Sequence, residues 1–214
     1  MPAKVIQTQL HRRVYLQFAE KLGLVYFGYV NQRSDEHRLI RGLTVSSTHR
    51  DTHYSVGTFQ GYDISIVERN DTLRFPGKPP RPQQWIIATI DLHRSVDLPH
   101  MFAGLRSHSE TFYSQLFTKF PYMKPIALRT EDGYSPAFVE RYTLYSHHLQ
   151  ALSATRVFNP AIANPTVEHF QGLTVEISEN CLYIYAEHQR PTATLLQRMV
   201  TYGLWLARYI DNEQ

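Results

Sequence analysis

The chain has 214 residues, of which 43% are apolar, 19% charged and 13% aromatic. That balance excludes a disordered polypeptide and allows one sizeable core. The net charge of +3 conceals an asymmetry: residues 1–107 carry 14 Lys and Arg against 9 Asp and Glu, and residues 108–214 carry 8 against 10. A single cysteine, Cys181, excludes an internal disulfide framework and any multi-cysteine metal site.

The opening MPAKVIQTQLHRRV lacks the apolar core of a signal peptide. Residues 4–22 are expected to form an amphipathic helix, with Leu10, Val14, Phe18 and Leu22 as its buried stripe and Gly23 as its stop. Residues 24–30 predict a strand, and they are too few to cross a bilayer. Residues 33–36 read as a polar turn and 39–46 as a second strand, with Gly42 at a bulge. Residues 54–69 carry a hairpin signal around Gln60-Gly61. Tyr62, Ile64 and Ile66 share one face there, and Asp63, Ser65 and Val67 the other.

Residues 75–82, FPGKPPRP, are expected to form an exposed loop outside any ladder, because proline donates no backbone hydrogen bond. Residues 85–92, WIIATIDL, predict a central strand. Ser107 and Glu110 stand at capping-box spacing before a helix that Pro121 ends. Residues 138–145 predict a strand, and Ser146 a cap for a short helix through Arg156. Asn159-Pro160 reads as a break and Asn164-Pro165 as the start of a helix that Gly172 stops. Residues 173–178 and 181–187 alternate around Glu179-Asn180 as a hairpin with one buried and one wet face. The last helix, from Thr192 to Tyr209, is apolar around most of its circumference. It is therefore buried on two sides, or it makes a homo-oligomeric contact.

No P-loop, G-x-S-x-G elbow, G-x-G-x-x-G or H-E-x-x-H occurs. His49, Asp51 and His53 form H-x-D-x-H, which in an extended strand would share one face and hold a metal for a hydrolase. The plainer reading is a polar connection between strands. Asp91 and His93 end a buried strand, where a strand-end hydrogen bond explains them. His147-His148 points two ways, and Ser107, His108 and Ser109 fit a helix cap. Nearby acids, Glu176 and Glu179, argue against an activated Cys181.

The better functional signal is arginine: 17 of the 22 basic residues. Arg12, Arg13, Arg33, Arg38 and Arg41 fall in the first 41 residues, and Arg74, Lys78 and Arg81 flank the proline-rich loop. Such residues suit an acidic protein partner, an anionic lipid surface or nucleic acid.

The stretch FVERYTLYS (138–146), the short helix ending near Phe158-Asn159-Pro160 and the hairpin from Leu173 to Tyr185 follow one another in an order that resembles a bacterial domain family often found behind membrane-spanning helices. With residues 39–69 and the Trp85 strand, the resemblance covers roughly residues 39–188. It implies no established activity and carries no site residues over, and this chain departs from it in having no expected membrane anchor.

The sequence therefore predicts a single α+β domain over residues 1–214, with a sub-boundary at 75–82. An antiparallel or mixed sheet is flanked by N-terminal, middle and C-terminal helices. The expected function is a non-enzymatic binding or adaptor module that needs no cofactor. It is cytoplasmic, does not span a membrane and sits at the inner face of a membrane complex. The alternatives are a metal-dependent hydrolase built on His49, Asp51 and His53, and a nucleic-acid-binding protein using the basic half.

Overall fold

The computed structural model describes residues 2–29, 42–43, 49–74, 77, 79–94 and 97–212, without the side chains of residues 2–8. Helix α1 (Pro2–Leu22) leads into the edge strand β1 (Val25–Tyr29) and the hairpin β2 (Arg50–Phe59) and β3 (Tyr62–Leu73). Strand β4 (Arg81–Asp91) follows, then β5 (Met101–Leu105), α2 (Glu110–Leu116) and β6 (Met123–Ile126). Next come α3 (Pro136–Arg141), β7 (Tyr142–His147), α4 (Ala151–Val157) and α5 (Pro160–His169). The chain closes with β8 (Leu173–Ser178), β9 (Cys181–Glu187) and α6 (Ala193–Asn212).

The strands form one nine-stranded sheet in the order β1-β2-β3-β4-β9-β8-β5-β7-β6, with every pairing antiparallel. This is the α+β architecture that the alternation and the three sets of helices predict. One face of the sheet packs against α1, α6 and the α3–α5 helices, through Ile64, Ile86, Ile90, Val175, Ile184 and their neighbours. The other face carries a smaller, aromatic layer under α2 that includes Trp85, Phe102, Tyr113, Phe117, Tyr183 and Tyr185.

That second layer corrects the expected wet face of the β8–β9 hairpin. Thr174, Glu176, Tyr183 and Tyr185, which alternate with the apolar set, are buried as well. The Glu179-Asn180 turn itself is as expected, both residues taking the positive φ of a tight hairpin turn. Other differences have local causes. Ser135 caps α3 by accepting from the Phe138 N–H, so residues 136–141 are helical and the strand begins only at Tyr142. Asn159 accepts from the Ala161 and Ile162 N–H groups and Pro160 occupies the first turn, so Asn159-Pro160 starts α5 and Pro165 lies inside it. Ser109, not Ser107, caps α2.

Along α1 the buried set is Tyr15, Phe18, Ala19 and Leu22, and Leu10 is exposed. Arg81 and Pro82 belong to β4 and pair with Leu73 and Thr72. A proline can open a strand because its carbonyl still accepts. The expected turn at 33–36 lies outside the described residues. So does the expected 39–46 strand, apart from Gly42 and Leu43, which form a bend.

Helix α6 settles against the sheet so closely that a Cβ on Gly203 would lie 2.4 Å from Ile90 Cδ1. Ten of its residues, from Leu195 to Ile210, are buried. Its apolar circumference is thus used largely inside the chain, and its outward side carries the half-buried Trp205 and Tyr209 and the exposed Thr201 and Arg208.

Candidate functional site

Strand β3 sends Tyr62, Ile64 and Ile66 toward the helices, and the next residue in that phase is Glu68. The alternation therefore places a carboxylate where the core would continue. On β4 Ile86 faces Glu68, and Gln84, two residues earlier in the same phase and opposite Asn70, reaches diagonally so that its Nε2 donates to Glu68 Oε1 at 2.8 Å. The other carboxylate oxygen, Oε2, is buried beneath the Tyr15 hydroxyl of α1, and burial first, then the Glu68 charge and its hydrogen bond, raise the phenol's pKa well above its ordinary value. His11 Nδ1 lies 3.3 Å from Oε2, which makes an ion pair only when the imidazole is protonated.

The pairing of β2 with β3 shifts at this point. Thr52 faces Glu68 and Ser55 faces Ile66, so His53 and Tyr54 together oppose Val67 in a bulge. His53 takes φ 58°, a left-handed conformation that L side chains adopt at a cost of about 1–3 kcal/mol. The bulge turns the His53 ring under α1, where it stacks on Tyr15 with centroids 4.8 Å apart. Its Nδ1 lies 2.8 Å from the Tyr26 hydroxyl on β1. Burial depresses the His53 pKa, with His11 and Arg12 adding to the effect against the pull of Glu68. Burial likewise raises the Tyr26 pKa. The Tyr26 hydroxyl and His53 Nδ1 share a single hydrogen, so this bond ties β1 to the bulge of β2.

These residues line a groove of about 740 Å³ between α1 and the β1 end of the sheet. The α1 wall supplies His11 and Arg12, and β1 supplies Tyr26 through Tyr29. The floor is Thr52, His53, Glu68, Asn70 and Gln84. Leu10 and Leu16 on α1 and Val25, Phe27 and Tyr29 on β1 are exposed, with Phe27 turned to Tyr54 on the aromatic face. Among the described residues β1 pairs only with β2, so it stands at the edge of the sheet.

The H-x-D-x-H residues do not converge. Asp51 Oδ1 and Oδ2 accept from Arg69 Nε and Nη2 at 2.7 and 2.6 Å, a bidentate pair with both side chains buried. Arg69 alternates with Glu68, so the bulge separates Asp51 from His53 onto opposite faces of the sheet. His49 stands just before β2. Among the described residues, no three His, Cys, Asp or Glu side chains are grouped to hold a metal. His93 stacks on Tyr62 at 4.5 Å, and its backbone N–H bonds to Asp211. The His108 ring stacks on Phe112, with Nε2 2.5 Å from Glu187.

Of the predicted basic residues, Arg12 lines the groove and Arg13 is exposed beside it on α1. Arg74 and Arg81 are exposed at the tip of the β3–β4 hairpin. At about 3.3 Å per residue, that tip is roughly 13 Å along the strand from Asn70 in the groove floor. Arg12, Arg74 and Arg81 thus share one end of the sheet. Arg33, Arg38, Arg41 and Lys78 lie outside the described residues.

A second buried carboxylate sits on the aromatic face. Glu176 accepts from the Tyr185 hydroxyl, from the Leu43 N–H at 2.9 and 3.1 Å, and bonds His100 Nε2 at 2.8 Å. His100 Nδ1 is in turn 3.0 Å from the Tyr122 hydroxyl. This network fastens residue 43 to the sheet and leaves neither oxygen of Glu176 without a partner.

No protein-family model and no curated protein matches the chain. Among solved structures its fold is similar to the crystal structure of the mycobacterial trehalose monomycolate transport factor A, TtfA. The TM-score is 0.56 at 13% identity over 94% of this chain and 93% of that one. The likeness is one of fold. Among the described residues no helix is long and apolar enough to cross a membrane.

Proposed function

We propose that the chain is a non-catalytic binding or adaptor module that docks a protein partner at its α1/β1 end, on the inner face of a membrane complex. The observation that carries this reading is an edge strand, β1, which among the described residues pairs on one side only and carries the exposed apolar side chains Val25, Phe27 and Tyr29. An extended segment of a partner adds to such an edge through main-chain hydrogen bonds and seats its alternate side chains on these apolar groups. Arg12, Arg74 and Arg81 at the same end favour an acidic partner or the anionic surface of a membrane. The neighbour in fold is by name a transport factor, which supports a handling role over a catalytic one. The metal-dependent reading loses its ligand set, because Asp51 is committed to Arg69 on the far face.

The test is affinity capture of the tagged chain from its native lysate, beside the Val25→Lys variant. Val25 is 58% exposed and outside the groove, so a lysine there blocks edge pairing and leaves the core intact. A specific protein retained by the wild type and lost by Val25→Lys is the expected result. Equal retention by both overturns the edge-docking reading.

A further inference from the structure

We infer that the partner segment docking at the β1 edge is apolar on one side and acidic on the other, with an Asp or Glu side chain seated under Arg12. This rests on the edge-docking reading and adds to it the chemistry of the partner strand.

An added strand continues the pleat of the edge it joins, so its side chains fall alternately on the two faces of the sheet. β1 presents a different chemistry on each. Val25 pairs with Val56, which packs against the aromatic layer, and the Phe27 ring lies 6.0 Å from Tyr54 in the same layer. A strand laid beside them meets apolar surface on that face. On the other face the register shifts at Gly28, whose φ of 71° suits a glycine. Tyr29 is thereby paired with Thr52, a residue of the groove floor. Paired residues share a face, so Tyr26 and Tyr29 both stand on the groove side although strict alternation would separate them.

Arg12 stands over this side. It is exposed, lines the groove and hydrogen-bonds the Tyr26 hydroxyl. A guanidinium carries five N–H donors, more than one phenol oxygen accepts, and the surplus suits a carboxylate, which arginine holds bidentately. Glu68 is the one carboxylate among the lining residues. It is buried against Tyr15 and His11 and bonded by Gln84. The charge that an incoming side chain meets first is therefore the arginine. A lysine on the partner strand would face a like charge in Arg12, with Arg13 exposed beside it on α1. Arg74 and Arg81, exposed at the tip of the β3–β4 hairpin, extend the same sign at this end of the sheet. A neutral side chain leaves the surplus donors to water. Alternation of apolar and acidic residues is thus the pattern that satisfies both faces of the edge.

The experiment is fluorescence anisotropy of the full chain with labelled heptapeptides in which valine alternates with glutamate, with serine or with lysine. The glutamate peptide is expected to bind, the serine peptide to bind about tenfold or more weaker, the size of a lost hydrogen bond to a charged group, and the lysine peptide weakest. Added salt is expected to narrow the gap between glutamate and serine. Arg12→Ala is expected to bring the glutamate peptide to the level of the serine peptide, and Arg12→Glu to move the preference to lysine. Should Arg12→Glu unfold, Arg12→Ala decides. Vesicles of mixed phosphatidylglycerol and phosphatidylcholine are the lipid control. Binding of no peptide, equal binding of the glutamate and lysine peptides, an unchanged preference in Arg12→Ala, or Arg12-dependent binding to the vesicles alone overturns the inference. Partner capture is read in parallel. A partner lost by Val25→Lys but kept by Arg12→Ala removes the acidic specificity and leaves edge docking, whereas capture that Val25→Lys does not change removes the docking reading.

Discussion

Two carboxylates are buried in this sheet, and the chain treats them differently. Glu176, on the aromatic face, is fully supplied with partners: a tyrosine, a histidine and a backbone N–H. Glu68, on the helix face, has one firm bond, from Gln84, and its second oxygen is buried against Tyr15 and His11 of α1. A buried charge is tolerated when its lone pairs are filled. Glu176 is therefore part of the scaffold, a clamp on residue 43, and Glu68 sits at the groove wall, bonded by Gln84 of β4 and roofed by Tyr15 and His11 of α1.

The sharpest way to break that comparison is to remove each carboxylate. Glu176→Ala strands the Tyr185 hydroxyl and the Leu43 N–H inside the structure, and each stranded group costs about 1–3 kcal/mol. A loss of about 3 kcal/mol or more in urea unfolding is expected. Glu68→Ala strands the buried Tyr15 hydroxyl and the Gln84 amide at the groove wall and is expected to cost about 2 kcal/mol. Equal costs for the two would show that Glu68 is as structural as Glu176. A third substitution sets the upper end of the scale: Asp51→Ala leaves Arg69 buried without its bidentate partner, and breaking such a pair costs about 3–5 kcal/mol.

Smaller is the effect of pH on the groove side. Burial lowers the His53 pKa in the folded chain, so between that value and the unfolded value of about 6.5 the unfolded chain binds the extra proton. Stability from this group is complete above about pH 6.5 and is lost as the pH falls toward the folded pKa. The expected result is a melting temperature that declines on acidification below pH 6.5, and a shallower decline in His53→Asn. Asparagine suits the comparison because it accepts the left-handed backbone that His53 occupies. An unchanged slope in the variant would place the acid sensitivity elsewhere.

Much of the scaffold was legible because apolar phase survives folding. The β2–β3 and β8–β9 hairpins, the central β4 strand and α6 follow directly from alternation and helical spacing. The errors cluster where one capping bond outweighs local pattern. Residues 138–141 carry strand-like side chains, yet Ser135 and Pro136 start a helix through them. Glu68 was visible in principle, as the charged residue that continues the Tyr62-Ile64-Ile66 phase. The bulge was not: nothing in H-x-D-x-H announces that the chain shifts register between Thr52 and Ser55 and carries Asp51 and His53 to opposite faces. The groove draws on α1, β1, β2, β3 and β4, so its residues are distant in sequence and only the pairing brings them together.

The smallest expected effect concerns the sealed side alone. Cys181 starts β9 and packs against the aromatic layer that holds Glu176. Burial first, and then the Asp91 charge, push its thiol pKa up to about 12. An exposed thiol titrates near 8.5, so the thiolate fraction of Cys181 at pH 8 is smaller by on the order of a thousandfold. A disulfide reagent at that pH should label the folded chain very slowly and the urea-unfolded chain at once. Fast labelling of the folded chain would mean that the aromatic face opens on the time scale of the reaction. In that event the saturation of Glu176 would describe one conformer of two, and its contrast with Glu68 would narrow to a difference in how often each carboxylate meets solvent.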